Sequence, residues 1–168
     1  MEDFAMAAHT LAPRTVTHGS FSIDRVFRSS PARVFDAFSD PAKKRRWFAE
    51  GPGFHLDSFD MDFRVGGEEK SRFRFVGEKP IEEGTPCHND TVYMDIIPGK
   101  RIVIAYSMSF GGAPFSASLA TMEFLPEGEG TRLVFTEQAA FFEGGDGVEM
   151  REQGTRELLG QLAAELGE

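Results

Sequence analysis

Three polar residues interrupt otherwise apolar stripes of this 168-residue chain. Glu137 has the parity of the apolar residues in the predicted strand Thr131–Phe141, so its side chain should point to the interior. Glu152 and Thr155 fall on the apolar stripe of a predicted C-terminal helix. Two carboxylates and a hydroxyl are therefore expected to converge on an apolar interior.

Carboxylates in an apolar interior can act in acid–base catalysis or in ligand binding. Removal from water favours the neutral acid, which makes Glu137 and Glu152 candidate general acids or bases. The same two side chains and Thr155 could instead hold the polar part of a small ligand. A third interpretation places both glutamates at the rim of the interior, where they reach solvent, because glutamate is rarely buried completely.

Large apolar side chains are predicted to surround these polar groups. The chain has 17 Phe but only two Tyr and one Trp, which indicates a large dry interior. Trp47 and Phe54 flank a Gly-Pro-Gly loop and are interpreted either as plain core or as a cavity lid. The predicted ligand-binding residues are Trp47, Phe54, Met61, Phe63, Phe73, Phe75, Tyr106, Met108, Phe135, Glu137, Glu152 and Thr155.

Other reactive centres are not indicated. The four histidines and the lone Cys87 lack the spacing of metal ligands, so no metal is expected. No serine lies in a nucleophile elbow, and the glycine pairs match neither dinucleotide-binding nor phosphate-binding loops, so no cofactor is expected. The basic stretch 43–46 is interpreted as the solvated face of a helix.

Charge and composition limit the partners. The 18 basic and 27 acidic side chains give a formal net charge of −9, which repels nucleic acid and anionic membrane surfaces. One cysteine cannot form an internal disulfide, and no apolar run is long enough for a membrane span or a signal peptide. We expect a cytoplasmic protein that binds no nucleic acid and does not insert into membranes. A homodimer is compatible with this composition.

Periodicity divides the chain into a tail and one domain. Residues 1–14 show no sustained period, which predicts a flexible tail, whereas residues 15–168 are predicted to form a single soluble domain. Thr15–Arg28 alternates between apolar and polar residues, as expected for a strand. A switch of parity at Val26 and Phe27 predicts a bulge near the end of that strand.

Two short helices, a run of strands and one long helix are predicted next. Ser30 and Asp40 each precede a proline, which favours a helix start. The last stretch opens with an acidic capping box, Asp146 and Glu149, and continues at helical spacing. Alternation predicts a hairpin from Leu56 and then the strands Thr91–Ile97, Arg101–Met108, Phe115–Leu125 and Thr131–Phe141.

This order of elements predicts an α+β fold. A curved antiparallel sheet of six to seven strands has an apolar inner face that another element must cover. The C-terminal helix is the only predicted element long enough to do so. We therefore expect the sheet to wrap around this helix, with two short helices after strand one and a ligand cavity between sheet and helix.

A series of short motifs runs through about residues 15–166. The motifs are Pro31-Ala32-Arg33-Val34-Phe35-Asp36-Ala37-Phe38, Asp40-Pro41, Trp47-Phe48, Asp62-Phe63-Arg64-Val65-Gly66-Gly67, Ile97-Pro98-Gly99-Lys100-Arg101-Ile102, Gly130-Thr131-Arg132-Leu133, and Gly154 with Leu159 and Leu162. In this order the chain resembles the START-like (SRPBCC, helix-grip) superfamily. Within it, the chain is similar to the group named for the C-terminal domain of the activator of Hsp90 ATPase. The resemblance implies the helix-grip fold.

The resemblance implies three functions of different classes. The first is binding of a small hydrophobic or amphipathic molecule such as a lipid. The second is a polyketide cyclase or hydratase activity using Glu137 or Glu152, and the third is regulation of the chaperone Hsp90, in a stress response. Members of this group often carry Trp after the helix glycine, whereas here Thr155 follows Gly154. We favour the first function, because the smaller side chain of Thr155 leaves room for a cavity.

Overall fold

Seven strands of the computed structural model, which describes residues 15–77 and 81–168, form one antiparallel sheet. The strands are β1 (Thr17–Phe27), β2 (Phe54–Met61), β3 (Glu68–Phe75), β4 (Pro86–Ile97), β5 (Arg101–Phe110), β6 (Ala113–Glu127) and β7 (Gly130–Phe141). The helices are α1 (Pro31–Ser39), α2 (Pro41–Lys44) and α3 (Val148–Glu165), and a π-helical turn, Arg45–Ala49, follows α2. The predicted α+β helix-grip fold is confirmed. The tail predicted for residues 1–14 lies outside the described residues.

The strand order β1-β7-β6-β5-β4-β3-β2 places β1 beside β7 and leaves β2 at the opposite edge. The pairing of β1 with β7 runs without a shift from Thr17, opposite Phe141, to Phe27, opposite Thr131. The predicted bulge at the end of β1 is therefore wrong. Phe27 is buried on the inner face and Val26 is 59% exposed, so an apolar residue on the outer face produced the apparent change of parity.

The starts of the short helices follow the predicted capping signals. The Ser30 hydroxyl accepts a hydrogen bond from the Arg33 amide, and the Asp40 carboxylate accepts from the Ala42 amide at 2.8 Å. A proline follows each cap, where its missing N–H costs nothing. Both helix starts are confirmed.

The start of α3 differs from the prediction. Its N-cap is Gly147, which has no side chain to cap the helix. The Asp146 carboxylate instead accepts two hydrogen bonds from the Arg151 guanidinium, at 2.8 and 2.9 Å. A bidentate bond to a charged donor is stronger than a bond to a backbone amide, so the expected capping box does not form. No helix in the described residues has the length and apolar character needed to cross a membrane.

The solid part of the core lies where α1 packs on the sheet. Phe35 and Phe38 of α1 meet the ring of Phe124 edge-on, at centroid distances of 5.2 and 5.3 Å. Leu133 on β7 is fully buried beside this cluster, and Ile102 on β5 is nearly so. The end of β5 that carries Tyr106 to Phe110 lies further along the sheet, outside this cluster.

The C-terminal end of α3 is fastened to the connection between β1 and α1. The Glu168 carboxylate accepts hydrogen bonds from the Arg28 amide and from both the amide and the hydroxyl of Ser29, the last two at 3.0 and 2.7 Å. The Arg33 guanidinium donates to the Leu166 carbonyl at 3.0 Å. Partial burial opposes the charged form, but the hydrogen bonds outweigh it and hold the pKa of Glu168 below its usual range.

We predict that Glu168→Gln lowers the free energy of unfolding by about 1–2 kcal/mol at pH 7, because hydrogen bonds to a charged acceptor are lost. Since the pKa of Glu168 is lowered by folding, its contribution is complete above the unfolded value near 4.5 and is lost as the pH falls through the folded value. Urea unfolding at pH 7 and pH 3 measures this. Glu129→Gln, in the exposed β6–β7 turn, is the control, and an equal loss in both variants at pH 7 would contradict the assignment.

Candidate functional site

A cavity of about 630 Å³ lies between the inner face of the sheet and α3. Its walls are formed by β2 to β7, by residues of all three helices and of the π-helical turn, and by the loops before β2, before β4 and after β7. Most of the lining surface is carbon. Sites for small molecules typically have this volume and this largely apolar lining, with few polar groups.

The π-helical turn brings aromatic side chains to the cavity. It follows directly from α2, and its residues Trp47, Phe48 and Ala49 all line the space. The Trp47 indole N–H donates to the Ala37 carbonyl at 2.8 Å, which ties the turn to α1. π-Helical turns often occur at functional sites, because the extra residue redirects side chains.

Seven of the twelve predicted ligand-binding residues line the cavity, and five do not. The lining residues are Trp47, Phe54, Phe73, Tyr106, Met108, Phe135 and Thr155. The residues outside its lining are Met61, Phe63, Phe75, Glu137 and Glu152. Gly154, beside Thr155, also lines the cavity, and a Cβ atom built there meets no atom within 4 Å. The inner face of α3 is therefore bare at this point.

The apolar residues outside the lining belong to the core or to the edge of the site. Phe63 lies beyond the end of β2, so alternation no longer sets its direction, and its ring packs against Tyr93 at 5.0 Å. Met61 also packs against the core. Phe75, at the end of β3, contacts the Phe54 ring at 5.7 Å and supports that lining residue.

Arg151 occupies the inward position on α3 that the sequence pattern predicted for Glu152. Arg151 lies one turn before Thr155, and its side chain is 7% exposed. Glu152 is 36% exposed and pairs with Arg156 at 3.5 Å along the helix. The physical reason is that the fully buried Glu137 needs a positive partner, and Arg151 lies within 3.0 Å of its carboxylate.

The Arg151 guanidinium is the centre of a buried hydrogen-bond network. It donates to Glu137 at 3.0 Å, to the Tyr106 hydroxyl at 2.9 Å and to Asp146 through two bonds. It also reaches the hydroxyls of two serines on β6 at 2.8 and 3.2 Å. These acceptors occupy all five N–H groups of the guanidinium. Arg151 is therefore a positioning residue that joins α3 to the sheet.

The network also fixes protonation states. Burial disfavours a charged guanidinium, but Tyr106, Asp146 and Glu137 outweigh this effect and raise the pKa of Arg151. Burial, reinforced by the charge of Glu137, raises the pKa of Tyr106, so its hydroxyl stays neutral and donates to Glu137 at 2.7 Å. Glu137 Oε2 is buried and has no hydrogen-bond partner among the described residues.

A second buried ion pair lies in the cavity wall. Lys44 Nζ contacts Glu69 Oε2 at 2.7 Å, and the Tyr93 hydroxyl donates to the same oxygen. Lys44 was interpreted as part of a solvated helix face, but its side chain is only 8% exposed and lines the cavity. The signal that could have revealed it is Glu69, an acid with the same parity as the lining residue Phe73 on β3.

The described residues contain no group of three or more His, Cys, Asp or Glu side chains that could hold a metal ion. His55 is the only described histidine in an ion pair, with Asp57 at 3.7 Å on the exposed part of β2. Neither residue lines the cavity. The charged pairs in the cavity wall are the two ion-pair networks, and Asn89, Thr91 and Thr155 add uncharged polar groups.

We predict that Arg151→Met lowers the free energy of unfolding by about 3–5 kcal/mol, because it leaves the Glu137 charge buried without a partner. The double change Arg151→Met with Glu137→Met should recover most of that loss, since both charges are removed together. Urea unfolding of the two single variants and the double variant gives the coupling energy.

Arg156→Met is the control, on the exposed face of the same helix, with an expected effect below about 1 kcal/mol. A double variant that is no more stable than Arg151→Met would show that the pair is not coupled. The assignment of Arg151 as the partner of Glu137 would then fail.

The Cys87 thiol should report on the cavity through its reactivity. Burial raises the pKa of Cys87 to about 11, slightly opposed by the charge of Arg151, and the side chain lines the cavity. At pH 8 only about one thiol in a thousand is then ionised, and iodoacetamide alkylation should accelerate about tenfold per pH unit up to pH 10. A rate that levels off near pH 9, as in urea-unfolded protein, would contradict this environment.

Comparisons with known proteins agree with this architecture. The family model described as "Activator of Hsp90 ATPase homolog 1-like protein" matches residues 28–167. Protein Mll3558 from Rhizobium loti is 49% identical over 90% of this chain and 99% of its own, with a TM-score of 0.80. An uncharacterized protein from Rhizobium leguminosarum is 37% identical over 93% of this chain and 99% of its own, with a TM-score of 0.82.

A more distant match indicates the fold alone. DynU16, a protein from the dynemicin biosynthetic locus, is 18% identical over 92% of this chain and 48% of its own, with a TM-score of 0.60. No curated protein matches the chain significantly. On the family match and the two rhizobial structures, the chain belongs to the family of activator of Hsp90 ATPase homolog 1-like proteins.

Proposed function

We propose that the protein binds a small amphipathic molecule in the cavity between the sheet and α3, within one domain of residues 15–168. The observation that carries this proposal is the bare inner face of α3 at Gly154 and Thr155, beneath which about 630 Å³ stays open. An apolar ligand that fills this space would gain about 25 cal/mol for each Å² of apolar surface removed from water.

The side chains that line the cavity favour a ligand with an apolar body. Phe48, Phe73, Phe135 and Leu158 line the space from the turn, the sheet and the helix. Aromatic rings contribute large apolar contact area at little entropic cost, because they have few rotatable bonds. The buried charges of the wall belong to the two ion-pair networks, so recognition of a polar group by a buried charge is confined to those two places.

The enzymatic alternative receives less support from the geometry. Of its two candidate carboxylates, Glu137 bonds to Arg151 and Tyr106 and does not line the cavity, and Glu152 pairs with Arg156 on the helix surface. A general acid or base must come within hydrogen-bond distance of the substrate. The chaperone-regulating alternative rests on the name of the family. Binding is therefore the function that the described residues favour.

We predict that Thr155→Trp abolishes uptake of the apolar fluorophore N-phenyl-1-naphthylamine and leaves the free energy of unfolding unchanged or raised. Thr155 lines the cavity and its hydroxyl donates only to the Arg151 carbonyl, at 2.9 Å, so the indole can occupy the space below. Fluorescence titration gives the dissociation constant of the probe, and urea unfolding gives the stability.

Arg156→Trp supplies the matched control, because it adds the same indole to the exposed face of α3. This variant should bind the probe as the wild type does. If Thr155→Trp loses about 1–3 kcal/mol of stability and the wild type takes up no probe, the space is packed and the proposed function fails.

A further inference from the structure

The Lys44–Glu69 pair has hydrogen-bonding capacity that the protein does not use. Lys44 Nζ donates to Glu69 Oε2 at 2.7 Å, and it makes no other hydrogen bond to residues 15–77 and 81–168. Glu69 Oε2 also accepts from the Tyr93 hydroxyl, whereas Oε1 accepts no hydrogen bond from the described chain. Both side chains line the cavity although they are only 8% and 2% exposed.

The Lys44 ammonium group is held in this buried position by aromatic rings as well as by charge. Lys44 Nζ lies 4.9 Å from the centroid of the Phe48 ring and 5.9 Å from that of Tyr93. Such cation–π contacts stabilise a desolvated cation and restrict its position. The Glu69 carboxylate is held in place by the hydrogen bond that it accepts from the buried Tyr93 hydroxyl. Donor and acceptor are thus preorganised beside each other.

The Arg151 network offers no comparable site. Its five N–H groups already meet acceptors on β5, β6, β7 and the loop before α3, so the guanidinium has none left for a ligand. Lys44 and Glu69 line the cavity, and a ligand that displaces water from them must complete their hydrogen bonds, because polar groups left buried without a partner are costly. Of the two cations that line the cavity within residues 15–77 and 81–168, Lys44 is therefore the one available for recognition.

We infer that the Lys44–Glu69 pair recognises a hydroxyl group on the ligand, an inference that rests on the proposed function. A hydroxyl can accept from the Lys44 ammonium and donate to Glu69 Oε1 at the same time. An ether can only accept and leaves Oε1 without a partner. A carboxylate would meet the negative charge of Glu69 within the same low-dielectric wall. The ligand class is thus an apolar molecule that ends in an alcohol or a phenol.

Four biphenyls with the same apolar body test this inference. They are 4-hydroxybiphenyl, 4-methoxybiphenyl, 4-methylbiphenyl and biphenyl-4-carboxylate, and each displaces N-phenyl-1-naphthylamine from the wild-type protein in a fluorescence titration. We expect 4-hydroxybiphenyl to bind roughly 10- to 100-fold more tightly than each of the other three, which corresponds to hydrogen bonds to charged partners.

The preference should disappear when the polar pair is removed. A single change at Lys44 would leave Glu69 buried and unpaired, so the test uses the double variant Lys44→Met with Glu69→Met, in which both charges are lost together. The ratio of the dissociation constants for the hydroxyl and methoxy compounds should fall to within about threefold of one. Lys43→Met, at the neighbouring exposed lysine that pairs with Asp36, should keep the wild-type ratio.

The outcomes separate the two proposals. Absence of N-phenyl-1-naphthylamine binding in the wild type would contradict the proposed function itself. Binding of that probe with no preference for the hydroxyl compound would overturn only the inference about Lys44 and Glu69. Tightest binding of the carboxylate would also overturn it, because the wall would then act as an anion site. A preference that survives in the double variant would assign the recognition to other residues.

Discussion

The ion pair between Arg151 and Glu137 is the contact on which the hollow interior depends. It joins the first turn of α3 to β7, and the same guanidinium reaches two serines of β6. Because these bonds fix the height of the helix above the sheet, the helix cannot sink into the space beneath it. Gly154 and Thr155 follow within one turn and have too little side chain to fill that space. A polar constraint therefore keeps an apolar cavity open, where helix packing alone would favour its collapse.

The two ion pairs lie at opposite ends of a row of polar groups on the inner face of the sheet. Glu69 on β3, Thr91 on β4, Tyr106 on β5 and Ser118 on β6 lie opposite one another in register, so a row of polar groups crosses four strands. At the Ser118 end of the row, the serine hydroxyl accepts a hydrogen bond from Arg151, which joins α3 to the sheet. The Glu69 end lies beside Lys44 and keeps unused hydrogen-bonding capacity. In the proposed role of Lys44 and Glu69, stability and recognition depend on separate buried charges, so a change in one network need not remove the other.

The fold was predictable because it depends on period and on local turn chemistry. Alternation over β2 to β7 and the Ser30 and Asp40 caps are short-range signals, and the structure follows them. The charged residues around the cavity were harder to predict, because charges are buried only where tertiary partners exist. The residues that flank Arg151 and Lys44 in the sequence are largely polar, as is common on a solvent-exposed helix face. Both side chains turn inward because the buried carboxylates of Glu137 and Glu69 pair with them.

Methyl NMR of the protein with bound N-phenyl-1-naphthylamine tests the central claim, that a ligand lies between sheet and helix. Met108 on β5 and Leu158 on α3 line the cavity from opposite sides, whereas Met94 is 53% exposed and lies outside the cavity lining. A probe bound in the cavity should give intermolecular nuclear Overhauser effects to the methyl groups of both Met108 and Leu158 and none to Met94. Effects confined to Met94 or to other exposed methyl groups would place the probe on the surface and contradict binding in the cavity.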